Sequence, residues 1–246
     1  MRHIDYKKFK TEFLETDIGR QIKKDFTNIT CSNHHWPSVV VAASMRKMTP
    51  RQLIGDVNTS DITPTISSFS IVPFYYINQL LEKDPTEIYD LGCGWNIFKQ
   101  YIPKIIGIDD NSLYADRKES YNAEFISKNE RQFKSLMSIN MSWHMGPNGE
   151  TTNLINLKDH IKEFARLVAP GGRCFLSISA LGVLHYTPRE WYNQMELNPF
   201  DVDNLTWYVE KQLIETGLDI ICMDTELDTL YNMPDHDGEI RIVFNG

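Results

Sequence analysis

An α/β fold follows from three observations on this chain of 246 residues. Short apolar runs at residues 87–91, 104–108 and 173–179 read as strands. Stretches with helical apolar spacing stand between and after them, as at Leu157, Ile161, Phe164, Leu167 and Val168. Glycine and proline punctuation falls at the junctions, as Gly92-Cys93-Gly94 and Pro170-Gly171-Gly172. Such alternation predicts helices laid on a sheet.

The elements follow in order. Phe9, Phe13, Ile18, Ile22 and Phe26 are spaced for one or two amphipathic helices. Pro37 opens a candidate helix over 37–48, and Thr49-Pro50 has the form of an N-cap followed by proline at the first helical position. Residues 55–68, rich in Thr, Ser, Asp and Pro, read as a loop, and 69–83 as a helix. A strand then enters the glycine turn at Gly92, and a helix-like stretch opens at Trp95. A second strand, Lys104 to Ile108, ends in Asp109-Asp110. Residues 124–130 read as a third strand with polar residues at its end. The helix over 157–168 is stopped by Ala169-Pro170-Gly171-Gly172, and a buried-type strand follows at 173–179. A helix over 203–216 turns Leu205, Tyr208, Val209, Leu213 and Ile214 to one side, with Gly217 as its stop. Strands 218–227 and 239–245 flank a turn at Pro234-Asp235-His236-Asp237-Gly238.

The chemistry concentrates at Asp90-Leu91-Gly92-Cys93-Gly94. Strand, tight loop, helix, strand and acid together offer backbone N–H groups and a carboxylate to a nucleoside-type ligand at the carboxyl ends of parallel strands. Side chains at positions 92 and 94 would hold that ligand off the backbone, and so tight a turn favours φ > 0. A dinucleotide site wants a third glycine where the helix meets the strand, and Ile97 stands at that position, followed by the bulky Phe98. A nicotinamide-dependent reductase is therefore the weaker reading.

The D-x-G-x-G run instead resembles motif I of the class I S-adenosylmethionine-dependent methyltransferases. Helix, Pro-Gly-Gly and strand over 157–179 are similar to a later part of that family, and the resemblance spans residues 70–246. It implies a three-layer α/β/α sandwich around a mostly parallel seven-stranded sheet closed by a C-terminal antiparallel hairpin. Residues 1–69 would be an N-terminal helical extension of the kind that covers the cofactor and shapes the acceptor pocket. It further implies that Asp90, Gly92, Cys93 and Gly94 pass the methionine part of S-adenosyl-L-methionine. Asp109, with Asp110 as the alternative, would hold the ribose hydroxyls, and Asn129 or Glu130 would stand near the adenine amine. Residues 135–144 look like the family's fourth strand and following loop, with Asn140 counted among the cofactor contacts. Many members carry a further glycine two residues after Gly94, where this chain has Asn96.

Acceptor chemistry is less legible. His144 follows the fourth strand and is a candidate general base or acceptor contact, beside the plainer alternatives of packing and loop hydrogen bonding. His185-Tyr186 fall at the same edge with the same alternatives. His34-His35-Trp36 and Asp235-His236-Asp237-Gly238-Glu239 look metal-like in composition. Adjacent histidines diverge on most backbones, and Asp-Gly chemistry explains the second run as a hairpin turn, so no metal site is assigned. No Asn-Pro-Pro-Tyr motif and no Pro-Cys pair marks an amino- or C5-methylating nucleic-acid enzyme. The net charge of −8 argues against extended nucleic-acid binding. A small molecule or a protein is the favoured acceptor. A catalytically inactive fold serving as an interaction module is the alternative.

Four cysteines, Cys31, Cys93, Cys174 and Cys222, form no C-x-x-C pair and read as reduced thiols. No apolar run approaches the ~20 residues of a membrane span, and Met1 to Lys8 lack a signal-peptide core. A cytoplasmic protein is the expectation.

Overall fold

The computed structural model describes residues 6–25, 28–30, 68–70, 72–94, 96–112, 114–139, 149–194, 202–226 and 239–246. Helices α1 (Tyr6–Leu14) and α2 (Asp17–Asp25) come first. Strands β1 (Asn28–Thr30) and β2 (Ser68–Ser70) pair in parallel as a small separate sheet. Helix α3 (Val72–Lys83) then leads into the main sheet.

That sheet has six strands among the described residues. They are β3 (Ile88–Leu91), β4 (Ile105–Ile108), β5 (Phe133–Ile139), β6 (Val168–Ser179), β7 (Asp219–Glu226) and β8 (Glu239–Asn245). Their order is β4-β3-β5-β6-β8-β7. The first four run parallel, and β8 is antiparallel to both neighbours. The chain leaves β3 for β4 on one side and returns to β5 on the other. The carboxyl end of β3 is thus the switch point where a ligand crevice forms.

Two apolar layers cover the sheet. On one face α3 sets Phe74, Ile77 and Leu80 against Ile88, Met137 and Phe175. Tyr76 stacks on Phe175 with ring centroids 4.2 Å apart, a pairing worth ~0.5–1.5 kcal/mol beyond its burial. The first two helices belong to this same layer. Phe13 and Ile22 are buried in it, and Phe9 meets Tyr75 edge-on at 5.1 Å. The other face carries α4 (Ala123–Lys128), α5 (Leu157–Ala165) and α8 (Val202–Glu215). There Phe125, Ile161, Phe164, Val209 and Leu213 close over Leu136, Leu176 and Ile242. Short helices α6 (Ala180–His185) and α7 (Arg189–Gln194) follow β6.

Several expectations are corrected. Residues 124–130 are not a strand. Asn122 accepts the Phe125 N–H at 2.8 Å and caps a helix that buries Phe125 and Ile126 together. Neighbours in a strand would face opposite sides, whereas a helix can bury both. Among the described residues, only a single parallel bridge, Ile108 to Arg117, lies beside β4 on the outer side, so six strands are described where seven were expected. The stretch after the glycine turn is one 3₁₀ turn, Ile97–Gln100. Helix α5 ends at Ala165, and Ala169-Pro170-Gly171-Gly172 belong to β6, where the pairing with β5 shifts register. Ile214, expected on the apolar side of α8, is 77% exposed, while Leu205, Val209 and Leu213 are buried.

Candidate functional site

The glycine turn is built from both ends. Gly92 and Cys93 each donate a backbone N–H to the Ile108 carbonyl, at 2.8 and 3.2 Å, which holds the loop over the end of β4. Gly92 (φ 74°) and Gly94 (φ 48°) adopt left-handed backbone that a β-carbon would strain. Asn96 is left-handed as well, at φ 49°. Asparagine is among the few residues that tolerate this conformation. Its amide also locks the loop, donating to the Tyr114 carbonyl and to Asp116, both at 3.0 Å.

Gly107 and Asp116 were not singled out by the sequence. A β-carbon on Gly107 would come within 2.6 Å of the Cys93 sulfur and 2.5 Å of the Asn96 amide, so β4 needs glycine for the loop to approach. Asp116 accepts the Gly107 N–H at 2.9 Å and pairs with Lys99. Burial works to raise its pKa. The hydrogen bonds from Lys99, Gly107 and Asn96 outweigh that and leave it lowered. No local pattern marks Asp116, because its partners lie 9 to 20 residues away in the chain.

Three carboxylates at the carboxyl ends of β3 and β4 are held differently. Asp109 accepts N–H groups from Gly94 at 3.0 Å and from Asn111 and Ser112, each at 2.9 Å. A carboxylate offers roughly four acceptor directions, so one is left for a ligand. Ser112 also hydrogen-bonds the Gly94 carbonyl, closing the two loops on each other. Asp110 is exposed and accepts the Asn111 amide and the Ser120 hydroxyl, each at 2.6 Å. Asp90 is 3% exposed and has no hydrogen-bond partner among the described residues. Burial, with the Asp109 charge second, pushes its pKa up to about 7. The Cys93 thiol is raised by burial and by Asp90, which keeps it protonated and unreactive.

Asp90, Gly92, Cys93, Gly94, Asp109 and Asp110 are therefore brought together at the switch point. Asn129 and Glu130 are not. They follow α4 and lie ahead of Phe133, the first residue of β5, at the opposite edge of the sheet. Asn129 is spent on the Phe125 carbonyl and Arg117, and Glu130 pairs with Arg166 at 3.4 Å. Their assignment to the adenine depended on a strand that is a helix. His185 and Tyr186 are exposed and meet edge-on at 5.0 Å. Trp95, Asn140, His144, His34, His35 and the run 235–237 lie outside the described residues.

No protein-family model and no curated protein matches the chain. Solved structures do. One is a methyltransferase dependent on S-adenosylmethionine from Archaeoglobus fulgidus, 12% identical, covering 70% of this chain and 90% of its own, with a TM-score of 0.41. Another, from Methanosarcina mazei, is 17% identical over 69% of this chain and 95% of its own, also at 0.41. A third, from Mesorhizobium loti, is 14% identical over 71% and 97%, at 0.40. These are loose likenesses of topology. Among the described residues no helix is long and apolar enough to cross a membrane.

Proposed function

We propose that this chain binds S-adenosyl-L-methionine at the end of β3 and transfers its methyl group to a small-molecule or protein acceptor. The observation that carries the reading is Asp90. A carboxyl group only 3% exposed, beside a left-handed glycine loop and with its pKa raised by burial, is one whose ionised form a ligand's hydrogen bonds would stabilise. A cofactor ammonium fits that need. The remaining acceptor direction on Asp109 suits one ribose hydroxyl, and the backbone of Gly92 to Gly94 admits close approach. Asp110 stays the alternative ribose contact. The bound cofactor supplies a methyl group on a sulfonium, displaced in line by the acceptor. The chain's part is alignment and exclusion of water, which can supply much of the rate. His144 is the proposed acceptor-side base. Residues 70–246 form the methyltransferase-like domain, and 1–69 the extension, whose first two helices dock on α3.

A second reading, an inactive fold kept as an interaction module, draws support from the closed contact between Gly94 and the Asp109–Ser112 turn. Calorimetric titration separates the two. S-adenosylmethionine and its demethylated product are expected to bind, and NAD is not. Gly94→Val should abolish that binding while the protein still folds. Absence of binding by the unaltered protein would sink the enzyme.

A further inference from the structure

Helix α5 carries a histidine where its pattern calls for an apolar residue. Leu157, His160, Ile161 and Phe164 are its buried positions, one stripe at helical spacing. His160 is only 6% exposed and rests against the Phe164 ring, with centroids 5.5 Å apart. Its Nε2 is buried without a hydrogen-bond partner. A leucine there would pack without leaving a polar atom unmet, so stability does not account for the imidazole.

Charge on that ring is opposed twice. Burial lowers its pKa from the ordinary 6.5 to about 4, with no contribution from a neighbouring charge. The ring also stands in the first turn of α5, at the positive end of the helix dipole. The titratable groups on the elements around it are accounted for. Cys174 on β6 and Tyr121, which shares the Phe164 ring, are both pushed up by burial and stay neutral. On α8, burial raises Tyr208, and Glu215 pairs with Lys158 at 3.2 Å. On α5 itself Asp159 and Lys162 are exposed, and Glu163 pairs with Arg166 at 2.9 Å. His185 of α6 is exposed.

The first turn of α5 is held from outside. Its N-cap residue, Asn156, makes no side-chain bond to the helix. Instead Gln212 of α8 accepts the Lys158 N–H at 3.0 Å and donates to the Leu154 carbonyl. The Thr187 hydroxyl accepts the Leu154 N–H at 3.0 Å, which joins the approach to α5 to the chain just after α6. Since α5 connects two parallel strands, β5 and β6, this junction lies at the carboxyl edge of the sheet.

We infer that His160 is a proton-operated latch on that edge. While neutral, it docks the first turn of α5. On taking a proton it releases that turn, together with residues 151–156 and their bond to Thr187, and the edge opens beside β6. The linkage has one sign. An opened ring regains its ordinary proton affinity, so the open form gains as pH falls below about 6.5 and gains no further below about 4.

Hydrogen exchange on the full chain, corrected for the intrinsic rate at each pH, tests the latch. Between about pH 7.5 and about pH 5, amides of residues 151–164 should lose roughly twenty- to thirtyfold in protection. Amides of β3 and β5 should not lose protection. His160→Leu should keep 151–164 protected at both pH values, whereas Glu215→Gln and His185→Gln should show the full loss. Unchanged protection of 151–164 in the unaltered protein overturns the inference, as does an equal loss in β3 and β5. So does a loss that persists in His160→Leu, or one that vanishes in Glu215→Gln or His185→Gln. Where His160→Leu does not fold, His160→Gln, uncharged at every pH, is read in its place.

Discussion

The two ends of the carboxyl edge handle charge in opposite ways. At the β3–β4 end, Asp109 is tied to three backbone N–H groups, and Asp90 is nearly buried with no hydrogen bond to another described residue. At the β8–β7 end, Asp224 and Glu239 are tied to a side chain, a guanidinium sealed in the sheet. Backbone donors fix a loop without adding a charge, so Asp109 keeps its negative potential for a ligand. A guanidinium fixes two strands but is itself expensive to bury. Altering a charge should therefore register as lost binding at one end and as lost stability at the other.

The largest expected effect tests that contrast. Arg241→Ala removes the guanidinium that Glu239 and Asp224 share and should destabilise the fold by about 3–5 kcal/mol, read as a lowered unfolding midpoint in urea. A loss under 1 kcal/mol would mean that the hairpin end is open to water. Asp109→Ala should weaken S-adenosylhomocysteine by about 1.5–3 kcal/mol, the scale of hydrogen bonds to a charged group. Unchanged affinity there would move the ribose role to Asp110.

Smaller effects sharpen the contrast. With its pKa near 7, Asp90 is partly protonated at neutral pH. A cationic group binds the carboxylate and not the acid. Affinity for S-adenosylhomocysteine should then rise from pH 6 to pH 8, by at most about tenfold per unit below the pKa. Asp90→Asn should flatten that rise, and a flat profile in the unaltered protein would remove Asp90 from the site. The sign for folding is opposite. A raised carboxyl pKa stabilises the protonated fold, fully so below the ordinary value of 3.8, and this is lost as pH climbs through about 7. The smallest effect belongs to Asn96→Gly. Relief of left-handed strain offsets two lost side-chain hydrogen bonds, so stability should change by less than about 1 kcal/mol. Cofactor binding should hold, because the amide faces Tyr114 and Asp116.

Much of this fold is written in local pattern. The apolar spacing of α5 and α8 and the β3 strand entering a D-x-G-x-G turn depend on neighbours within a few residues. The third strand failed for a local reason that was visible, since Asn122 caps a helix over the same residues. Its failure carried Asn129 and Glu130 to the wrong edge. The tightness of the glycine turn was legible too, as glycine excludes side chains wherever it stands.

The sequence alone determined the α/β class, the strand that carries the loop and the acids placed at strand ends. Periodicity and turn chemistry act over a turn of helix or a pair of strand residues. Only the tertiary structure decided that Asp90 is nearly buried while Asp109 accepts three N–H groups, and that Gly107 must be bare for the loop to close. It alone set Arg241 between Asp224 and Glu239, beside an unsatisfied Ser177. Burial and hydrogen-bond satisfaction are properties of what the rest of the chain brings alongside a residue. Strand order sets that, across separations that no local pattern records.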